Sequence, residues 1–310
     1  MQESLLIRTP SEASAANIDP EHAPRMPRRK RVLLADPSHY RIEYAINPHM
    51  RSADGTLKTL TPGVAAKQWE ALKQTYEELG LKVEVLPSVR DHPDLVFAAN
   101  QAFPYPDPTS ERSQGAYCFI PSRMAHEQRA GEVELVSAWL RAQGYRETPL
   151  PPVKGTFEGG GDLTWFGDRR ILVGGVSSRT SASSLKMVTD LINIPLVALD
   201  IDDPDFYHLD TCLNFLDGTT AIWVPHAFRT ASQKILKGLV ENLVAVDDLE
   251  ARNGLAVNCH SPDGRRVIIQ KGNQETIATL ENLGYDVIEV DTSEFIKAGG
   301  SVYCLKMMLW

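Results

Sequence analysis

Cys304 and His208 carry the side chains used in nucleophilic catalysis. Cys304 follows Gly299 and Gly300 in AGGSVYC, and His208 stands two residues before Asp210 in FYHLDT. A cysteine in an apolar segment is more often a small core residue, but neighbouring glycines let a ligand or backbone come close to the thiol. A thiol and an imidazole far apart in sequence can still form a nucleophile and acid/base pair. These segments therefore predict a cysteine nucleophile with a histidine partner.

Two carboxylates, Glu158 and Asp162, flank three glycines in TFEGGGDLTWF. A bulged turn that enters a hairpin is one interpretation of this run, whose glycines lose much backbone entropy on folding. A phosphate-binding loop is excluded, because no Lys-Ser/Thr pair follows and the carboxylates would repel phosphate. Carboxylates beside closely approaching backbone suit a cationic ligand instead.

Arg179 supplies the opposite charge in GGVSSRTS, just before a predicted helix. It is either a solvated residue at the helix start or a guanidinium that binds a ligand carboxylate through two hydrogen bonds. Asn47, in INPHM, is most simply a turn residue before Pro48. A thiol, an imidazole, carboxylates for a cation and an arginine for an anion together indicate a zwitterionic, amino-acid-like substrate.

A unit of hairpin, helix and strand recurs along the chain and must position these residues. Hairpins with Gly-Asp or Asp-Gly turns begin at residues 163, 213 and 257. Each is followed by a helical pattern and then by a short apolar strand; the three helices are predicted over 181–193, 229–242 and 273–283. A period of about 50 residues indicates a repeat architecture.

Two further units complete the pattern. Residues 95–100 and 116–121 form a hairpin with a long loop, and helix 127–143 follows. Strands 31–35 and 301–309, near the two ends of the chain, form the fifth hairpin. Five hairpin–helix–strand units predict an α/β fold of the five-bladed, pseudo-fivefold propeller type, closed without free sheet edges. An open α/β sheet is the competing fold, but it does not explain a hairpin in every period.

In a ring of blades, the first strand of each hairpin runs along the central channel. Residues at the same place in successive units then face one another. Those places hold Asn100, Glu158, His208, Asn258 and Cys304. The repeat therefore predicts that these residues meet at a common centre.

Residues 31–310 are predicted to form this single catalytic domain. Residues 1–30 are predicted to be a flexible N-terminal tail, whose basic run at 24–30 is a solvated segment before the first strand.

The net charge of −8 argues against a nucleic-acid partner. No apolar run reaches the roughly 18 residues of a membrane span, and the N-terminus lacks a signal-peptide pattern, so a cytoplasmic protein without membrane contact is expected. The four cysteines lack metal-site spacing, so no metal is expected. Homo-oligomerisation stays open.

FEGGGD, SSRTS, HLD and GGSVYC, with NPHM and VFAAN upstream, resemble the guanidine-modifying enzyme superfamily. Its members include arginine deiminases, dimethylarginine dimethylaminohydrolases, arginine dihydrolases and amidinotransferases. The resemblance covers residues 31–310 and implies the five-bladed α/β-propeller, or pentein, fold. It also implies a guanidino amino acid as the small-molecule substrate and chemistry that needs no cofactor or metal.

The resemblance implies a role for each matching residue. Cys304 matches the nucleophile and His208 the general acid/base. Glu158 and Asp210 match carboxylates that grip the guanidinium, and Arg179 matches the arginine that holds the substrate α-carboxylate.

The same resemblance covers three further positions, two that match the family and one that differs from it. Asn47 matches a loop residue that contacts substrate, and Asp162 a supporting aspartate of the site. Asn100 stands where deiminases and many of their relatives have an aspartate. The change matters because an amide is uncharged and donates as well as accepts hydrogen bonds. Arginine dihydrolases also have asparagine there, whereas Asp210 is typical of deiminases and dimethylargininases.

The implied reaction is hydrolysis of a guanidine C–N bond through a covalent thiouronium intermediate on Cys304. An amine or ammonia leaves first, and a ureido product follows. Alternatives are an amidinotransferase, which passes the amidino group to an amine, and an arginine dihydrolase, which yields ornithine. The substrate itself depends on contacts from loops such as Met50–Thr61 and Pro104–Gly115.

Overall fold

The structure, a computed structural model, describes residues 5–107 and 117–310, so most of loop Pro104–Gly115 and residues 1–4 of the expected tail lie outside the described part. The strands are β1 (Leu6–Ile7), β2 (Arg31–Ala35), β3 (Lys82–Leu86), β4 (Ala102–Pro106), β5 (Tyr117–Pro121), β6 (Arg146–Glu147), β7 (Leu163–Phe166), β8 (Arg169–Val176), β9 (Leu196–Asp200), β10 (Leu213–Phe215), β11 (Thr220–Trp223), β12 (Asn242–Ala245), β13 (Arg266–Gln270), β14 (Asp286–Val290) and β15 (Lys306–Leu309). The α-helices are α1 (Pro10–Ala15), α2 (Val64–Glu78), α3 (Glu127–Ala142), α4 (Gly159–Asp162), α5 (Ala182–Ile192), α6 (Thr230–Leu239), α7 (Asp248–Gly254), α8 (Gln274–Asn282) and α9 (Ser293–Ile296). Single 3₁₀ turns span Pro48–Met50, Pro93–Val96, Leu209–Thr211 and Pro225–Ala227.

The described strands form five small sheets, ordered β15-β2-β3, β4-β5-β6, β1-β9-β8-β7, β10-β11-β12 and β13-β14. In four of them an antiparallel pair is extended by a parallel strand that follows a helix. In the remaining sheet β13 and β14 are parallel, and an antiparallel bridge joins His260 to Ile268. This topology confirms the mixed α/β class and the repeated hairpin–helix–strand unit.

The two ends of the chain supply one of these sheets, as predicted. Strand β15 pairs antiparallel with β2, with Met307 opposite Leu33 and Leu309 opposite Arg31. Both strands are buried except at Arg31, which is partly exposed. Burial on both faces explains why RVLLA and KMML are continuously apolar apart from their first residues.

The predicted first strands of three units are wrong in part. Residues 95–100 lie in a 3₁₀ turn and the turn after it, 257–259 lie in a turn and bend, and 301–305 form a further turn ahead of β15. Their backbone groups bond to one another instead of to a sheet: Ala99 N–H donates to the Cys304 carbonyl, and Tyr303 N–H donates to that of Asn258. These apolar runs are buried by contact between turns, which periodicity alone does not distinguish from strand pairing.

The first thirty residues differ from the expected flexible tail over the part that is described. Leu6 and Ile7 pair parallel with Leu196 and Val197, which extends the sheet of β9 by one strand. Ile7 is only 2% exposed, so an apolar pair in this polar segment is enough to anchor it. Within residues 5–107 and 117–310, no helix combines the length and apolar character needed to cross a membrane.

Candidate active site

A small cavity of about 20 Å³ is lined by loop and turn residues from several of the hairpin–helix–strand units. The sequence-predicted residues that line it are Asn47, Asn100, Arg179, His208 and Cys304. Its other lining residues are Ile46, Met50, Asp94, Phe97, Arg129, Tyr207, Ala298 and Gly300. The predicted meeting of residues from separate repeat units therefore takes place, although the residues stand on turns and not on strands.

Asn258 holds the turn that carries Cys304. Its Oδ1 accepts hydrogen bonds from the backbone N–H groups of Ser301 (3.1 Å) and Cys304 (3.2 Å). Its Nδ2 donates to Cys304 Sγ at 3.1 Å and to the Asp210 carbonyl at 3.1 Å. One buried amide thus fixes the nucleophile's backbone and supplies a donor to its sulfur.

The Cys304 thiol donates to Asp210 Oδ2 at 3.3 Å. Burial raises the pKa of Cys304 well above its ordinary value, and the negative charge of Asp210 raises it further. Burial also raises the pKa of Asp210 to about 6, although His208 and the thiol lower it in part. The other oxygen of Asp210, Oδ1, is buried without a hydrogen-bond partner among the described residues. The sulfur therefore faces a carboxylate with a free acceptor position.

His208 and Glu158 form a buried pair beside this thiol. His208 Nε2 lies 2.8 Å from Glu158 Oε2, and both residues are at most 2% exposed. Glu158 Oε1 accepts from Ala125 N–H at 2.9 Å, and Arg179 NH1 lies 3.1 Å from Oε2. Burial opposes the charge of Glu158, but His208 and Arg179 outweigh it and lower the pKa below its usual range. Glu158 is therefore an ionised orienting partner of the imidazole.

Arg179 is not a solvated residue at a helix start. It is 2% exposed, and its guanidinium donates to Glu158 and, at 2.6 Å, to the carbonyl of Ile46. It also lies over the ring of Tyr207, 5.1 Å from the ring centre. Arg179 thus connects the carboxylate of the site to the loop that covers the cavity.

The loop from Ile46 to Met50 closes the cavity. Asn47 Nδ2 donates to the Ala298 carbonyl at 2.9 Å, and Asn47 Oδ1 accepts from His49 N–H at 3.0 Å. Ile46, Asn47 and Met50 of this loop line the cavity, whose volume is far below the roughly 300–1,000 Å³ usual for ligand pockets.

Two glycines are required by close packing at the site. A Cβ at Gly161 would lie 2.4 Å from Asn100 Nδ2 and 3.1 Å from His208 Nδ1. Gly299 has φ of +90°, and a Cβ there would lie 2.6 Å from the hydroxyl of Tyr207. The glycine runs noticed in the sequence thus allow side chains of the site to approach backbone.

Asp162 does not line the cavity. Its Oδ2 accepts from Ser177 Oγ at 2.8 Å and its Oδ1 from Leu209 N–H at 3.0 Å. Leu209 begins the 3₁₀ turn between His208 and Asp210, so Asp162 positions both through the backbone. His208 and Asp210 therefore stand at a turn and not on the strand that the repeat predicts along the central channel.

Asp94 and Arg129 are site residues that the sequence interpretation missed. Asp94 is 1% exposed, and both carboxylate oxygens lack a hydrogen-bond partner among the described residues; the Tyr44 hydroxyl lies near them without hydrogen-bond geometry. Burial raises the pKa of Asp94 to about 6. Arg129 pairs with Glu132 at 2.8 Å and donates to Asn100 Oδ1 at 2.9 Å, which leaves Asn100 Nδ2 unpartnered. The sequence signal that could have indicated Asp94 is its charge within HPDLVF, directly before three apolar residues.

No cluster of three or more His, Cys, Asp or Glu side chains with metal-binding geometry occurs in residues 5–107 and 117–310. Within the described part of the chain, the buried polar atoms of the site without a partner are both carboxylate oxygens of Asp94, Oδ1 of Asp210 and Nδ2 of Asn100. Two carboxylates and one donor beside a thiol form a set that suits a planar organic cation.

The sequence model of the family described as "N,N dimethylarginine dimethylhydrolase, eukaryotic" matches residues 37–309. The chain belongs to this family. It is 33% identical over 296 residues to the N(G),N(G)-dimethylarginine dimethylaminohydrolase of Mycobacterium tuberculosis, which covers 96% of this chain and 91% of that one. It is 30% identical over 280 residues to the bifunctional arginine dihydrolase/ornithine cyclodeaminase ArgZ of Synechocystis sp., covering 89% of this chain and 37% of ArgZ.

Among solved structures, the N-terminal domain of ArgZ in complex with its substrate aligns with a TM-score of 0.81 at 28% identity. The alignment covers 90% of this chain and 97% of that domain. A dimethylarginine dimethylaminohydrolase structure aligns with a TM-score of 0.74 at 22% identity, which shows the shared fold alone. Family membership in the guanidine-modifying superfamily agrees with the motifs found in the sequence.

Proposed function

We propose that the protein is a hydrolase that cleaves a C–N bond of an arginine-like guanidine through a covalent intermediate on Cys304. The observation that carries this proposal is the free oxygen of Asp210 beside the Cys304 thiol. A guanidinium presents planar N–H donors that match a carboxylate, and its carbon would then stand close to the sulfur. Asp94 lines the cavity next to Cys304 and has two further oxygens without a hydrogen-bond partner among the described residues, so it supplies a second acceptor for the cation.

Substrate binding also activates the nucleophile in this proposal. The thiol of the free protein is held in its neutral form by burial and by Asp210. A bound guanidinium neutralises Asp210 and places positive charge beside the sulfur, which favours the thiolate. The reactive form of Cys304 therefore arises when the substrate is in place.

In the first step the sulfur attacks the guanidine carbon and an S–C bond forms. The C–N bond to the departing nitrogen breaks, and the thiol proton reaches that nitrogen by way of His208, so that ammonia or a methylamine leaves. Glu158 keeps the imidazole oriented through its hydrogen bond to Nε2. A thiouronium remains on Cys304.

In the second step His208 takes a proton from water, and the oxygen attacks the same carbon. The C–S bond breaks, one proton returns to the sulfur, another passes to solvent, and a ureido product is released. The cycle needs water alone as co-reactant. Splitting one difficult displacement into two steps through the thiolate explains the use of cysteine.

The substrate α-amino acid end would lie beneath the loop from Ile46 to Met50. Arg179 now donates to the Ile46 carbonyl, and a substrate carboxylate is a stronger acceptor for the same guanidinium. We propose that opening of this loop exchanges the one acceptor for the other. Asn47 then contacts the bound substrate from the loop.

Asn100 favours a second candidate, an arginine dihydrolase that yields ornithine. Its Nδ2 is an unpartnered donor at the cavity, where an aspartate would offer only acceptors. A donor can hold the carbonyl oxygen of a ureido intermediate in the site for a further hydrolysis, with release of a second ammonia and carbon dioxide. An amidinotransferase, which replaces the attacking water by an amine, is the remaining alternative.

We also propose that the five sheets are blades of one closed pentein ring over residues 31–310. The pairing of β15 with β2, the cavity lined by residues of several units and the hydrogen bonds of Asn258 to the turn of Cys304 support this arrangement. The four cysteines are all free thiols in the described residues, so a reducing, cytoplasmic setting would suit the nucleophile.

A substrate panel tests the proposal. The purified protein is incubated with arginine, monomethylarginine and dimethylarginine, and the products are identified by mass spectrometry. Citrulline with the matching amine supports a single hydrolysis, and ornithine with ammonia supports the dihydrolase. Addition of glycine as acceptor tests the transferase, because only that enzyme would form a new guanidino product. Absence of turnover with every guanidine would overturn the hydrolase proposal.

A further inference from the structure

A second and larger cavity, of about 580 Å³, lies next to the segment that follows the nucleophile. Tyr303 and Lys306 line this cavity, whereas Cys304 lines the candidate active site. Its volume falls within the roughly 300–1,000 Å³ typical of small-molecule sites. The proposed hydrolase mechanism uses none of its lining residues.

Lys306 is a buried cation without an anionic partner. It is 4% exposed, and its Nζ lies 3.2 Å from the centre of the Tyr303 ring. The Nζ atom of Lys306 makes no hydrogen bond or ion pair with any described residue. Burying an ammonium in this way is costly unless a hydrogen-bond acceptor or opposite charge meets it.

Arg29 brings a second uncompensated cation to the same cavity. Arg29 belongs to the basic run at 24–30, which is hydrogen-bonded to the rest of the protein and is not a solvated segment. Met26 N–H donates to the Asp168 carbonyl at 2.7 Å, and Trp310 Nε1 donates to the Pro27 carbonyl at 2.9 Å. The guanidinium of Arg29 lies 5.8 Å from the centre of the Trp310 ring and has no ion pair among the described residues. The charge of Arg29 acts with burial to lower the pKa of Lys306 well below its usual value.

The carboxylates that line the cavity are already engaged elsewhere. Asp168 pairs with Arg25 at 3.1 Å, and Asp263 pairs with Arg266 at 2.6 Å. Asp217 accepts from the Tyr285 hydroxyl and from backbone N–H groups. None of these carboxylates lies within ion-pair distance of Arg29 or Lys306.

A further unpartnered donor lines the cavity. Trp165 is 3% exposed, and its indole N–H has no hydrogen-bond partner among the described residues. An indole nitrogen and an ammonium can donate but not accept. The unsatisfied groups here are therefore donors, in contrast to the unpartnered carboxylate oxygens of Asp94 and Asp210 at the candidate active site.

We propose that this second cavity binds a small-molecule oxyanion, a phosphate or carboxylate group, between Lys306 and Arg29. Charge-assisted hydrogen bonds from the two cations hold the anion, and the aromatic residues of the lining accommodate the rest of the molecule. The site is separate from the guanidine site. It would exist whether or not the protein hydrolyses arginine.

Isothermal titration of the full chain with inorganic phosphate and with malonate, at constant ionic strength set by chloride, tests the proposal. Saturable binding of at least one anion is expected, and the tighter of the two identifies the preferred group. Arg29→Gln and Lys306→Met should each weaken it by about tenfold or more, as expected for loss of a charge-assisted hydrogen bond. Lys234→Met, which removes an exposed lysine of helix α6, is the matched control and should bind as the unaltered protein does.

Three results would overturn the proposal: no saturable binding of either anion, unchanged binding in Arg29→Gln, or binding that is lost in Arg179→Gln but kept in Arg29→Gln. The last result would place the anion at the guanidine site. Thermal melting of each variant reports folding. If Lys306→Met does not fold, Arg29→Gln carries the test, because Arg29 is only half-buried and its loss leaves the core intact.

Discussion

The Cys304 thiol lies 3.3 Å from Asp210 Oδ2, while the nearby imidazole of His208 is hydrogen-bonded to Glu158. The nucleophile thus faces a carboxylate, and the negative charge of that carboxylate opposes thiolate formation. A cationic substrate reverses this effect by neutralising Asp210. The pair therefore links the reactivity of the sulfur to the presence of a guanidinium.

Replacement of Cys304 by serine should abolish turnover. A serine hydroxyl is a far weaker nucleophile than a thiolate at neutral pH, so we expect kcat to fall by about 1,000-fold or more. Cys118→Ser is the matched control, since Cys118 is also a buried free cysteine but lies in β5, where it accepts from Arg146 at 3.3 Å. The measurement is the rate of amine release by both folded variants. If Cys304→Ser were as active as Cys118→Ser, the covalent mechanism would be contradicted.

Asp210→Asn should separate thiol reactivity from catalysis. Loss of the negative charge lowers the pKa of Cys304, so alkylation of the free protein by iodoacetamide should reach half-maximal rate at a lower pH. The same change removes an acceptor for the guanidinium and should reduce kcat/KM by about 100-fold or more. The two effects have opposite signs. Slower alkylation together with slower turnover would indicate that Asp210 merely maintains the local structure.

The repeat and the identity of most site residues could be predicted from the sequence, because hairpin turns and helix periodicity are local signals. The local geometry could not. His208 and Cys304 stand on turns, since Asp162 and Asn258 draw the backbone into hydrogen bonds that no strand pattern encodes. Asp94 escaped notice for a related reason: its neighbours are apolar, and only the fold shows that its carboxylate has no partner.

Asn100→Asp tests whether the amide selects the product. The carboxylate would still accept from Arg129, as Asn100 Oδ1 does at 2.9 Å, but it would lose the Nδ2 donor and add a negative charge. If the unaltered protein converts arginine to ornithine, the variant should release citrulline as the main product. Ornithine as the main product of the variant at unchanged rate would contradict a role for the Nδ2 donor. Chromatography of the products over a full time course provides the measurement.

Asp94→Asn should stabilise the folded protein at neutral pH while weakening substrate binding. Burial raises the pKa of Asp94 to about 6, so the folded state favours the neutral acid and ionisation destabilises it. The stability contributed by the neutral form is complete below the ordinary pKa near 3.8 and is lost as pH rises through 6. At about 1.4 kcal/mol for each pKa unit, the variant should gain roughly 2–3 kcal/mol above pH 7.

Urea denaturation of both proteins between pH 4 and pH 8 measures this gain. The difference in unfolding free energy should be near zero at pH 4, rise through pH 5 to 6 and level off above pH 7. Asp91→Asn is the control, because Asp91 is exposed and the same change there should leave stability within about 0.5 kcal/mol at every pH. A gain that is independent of pH, or a loss of stability at pH 8, would mean that the Asp94 carboxylate has a stabilising partner. The Asp94→Asn variant should also bind substrate more weakly. The charge of Asp94 destabilises the folded protein because it has no partner, and for the same reason it is available to bind the cation.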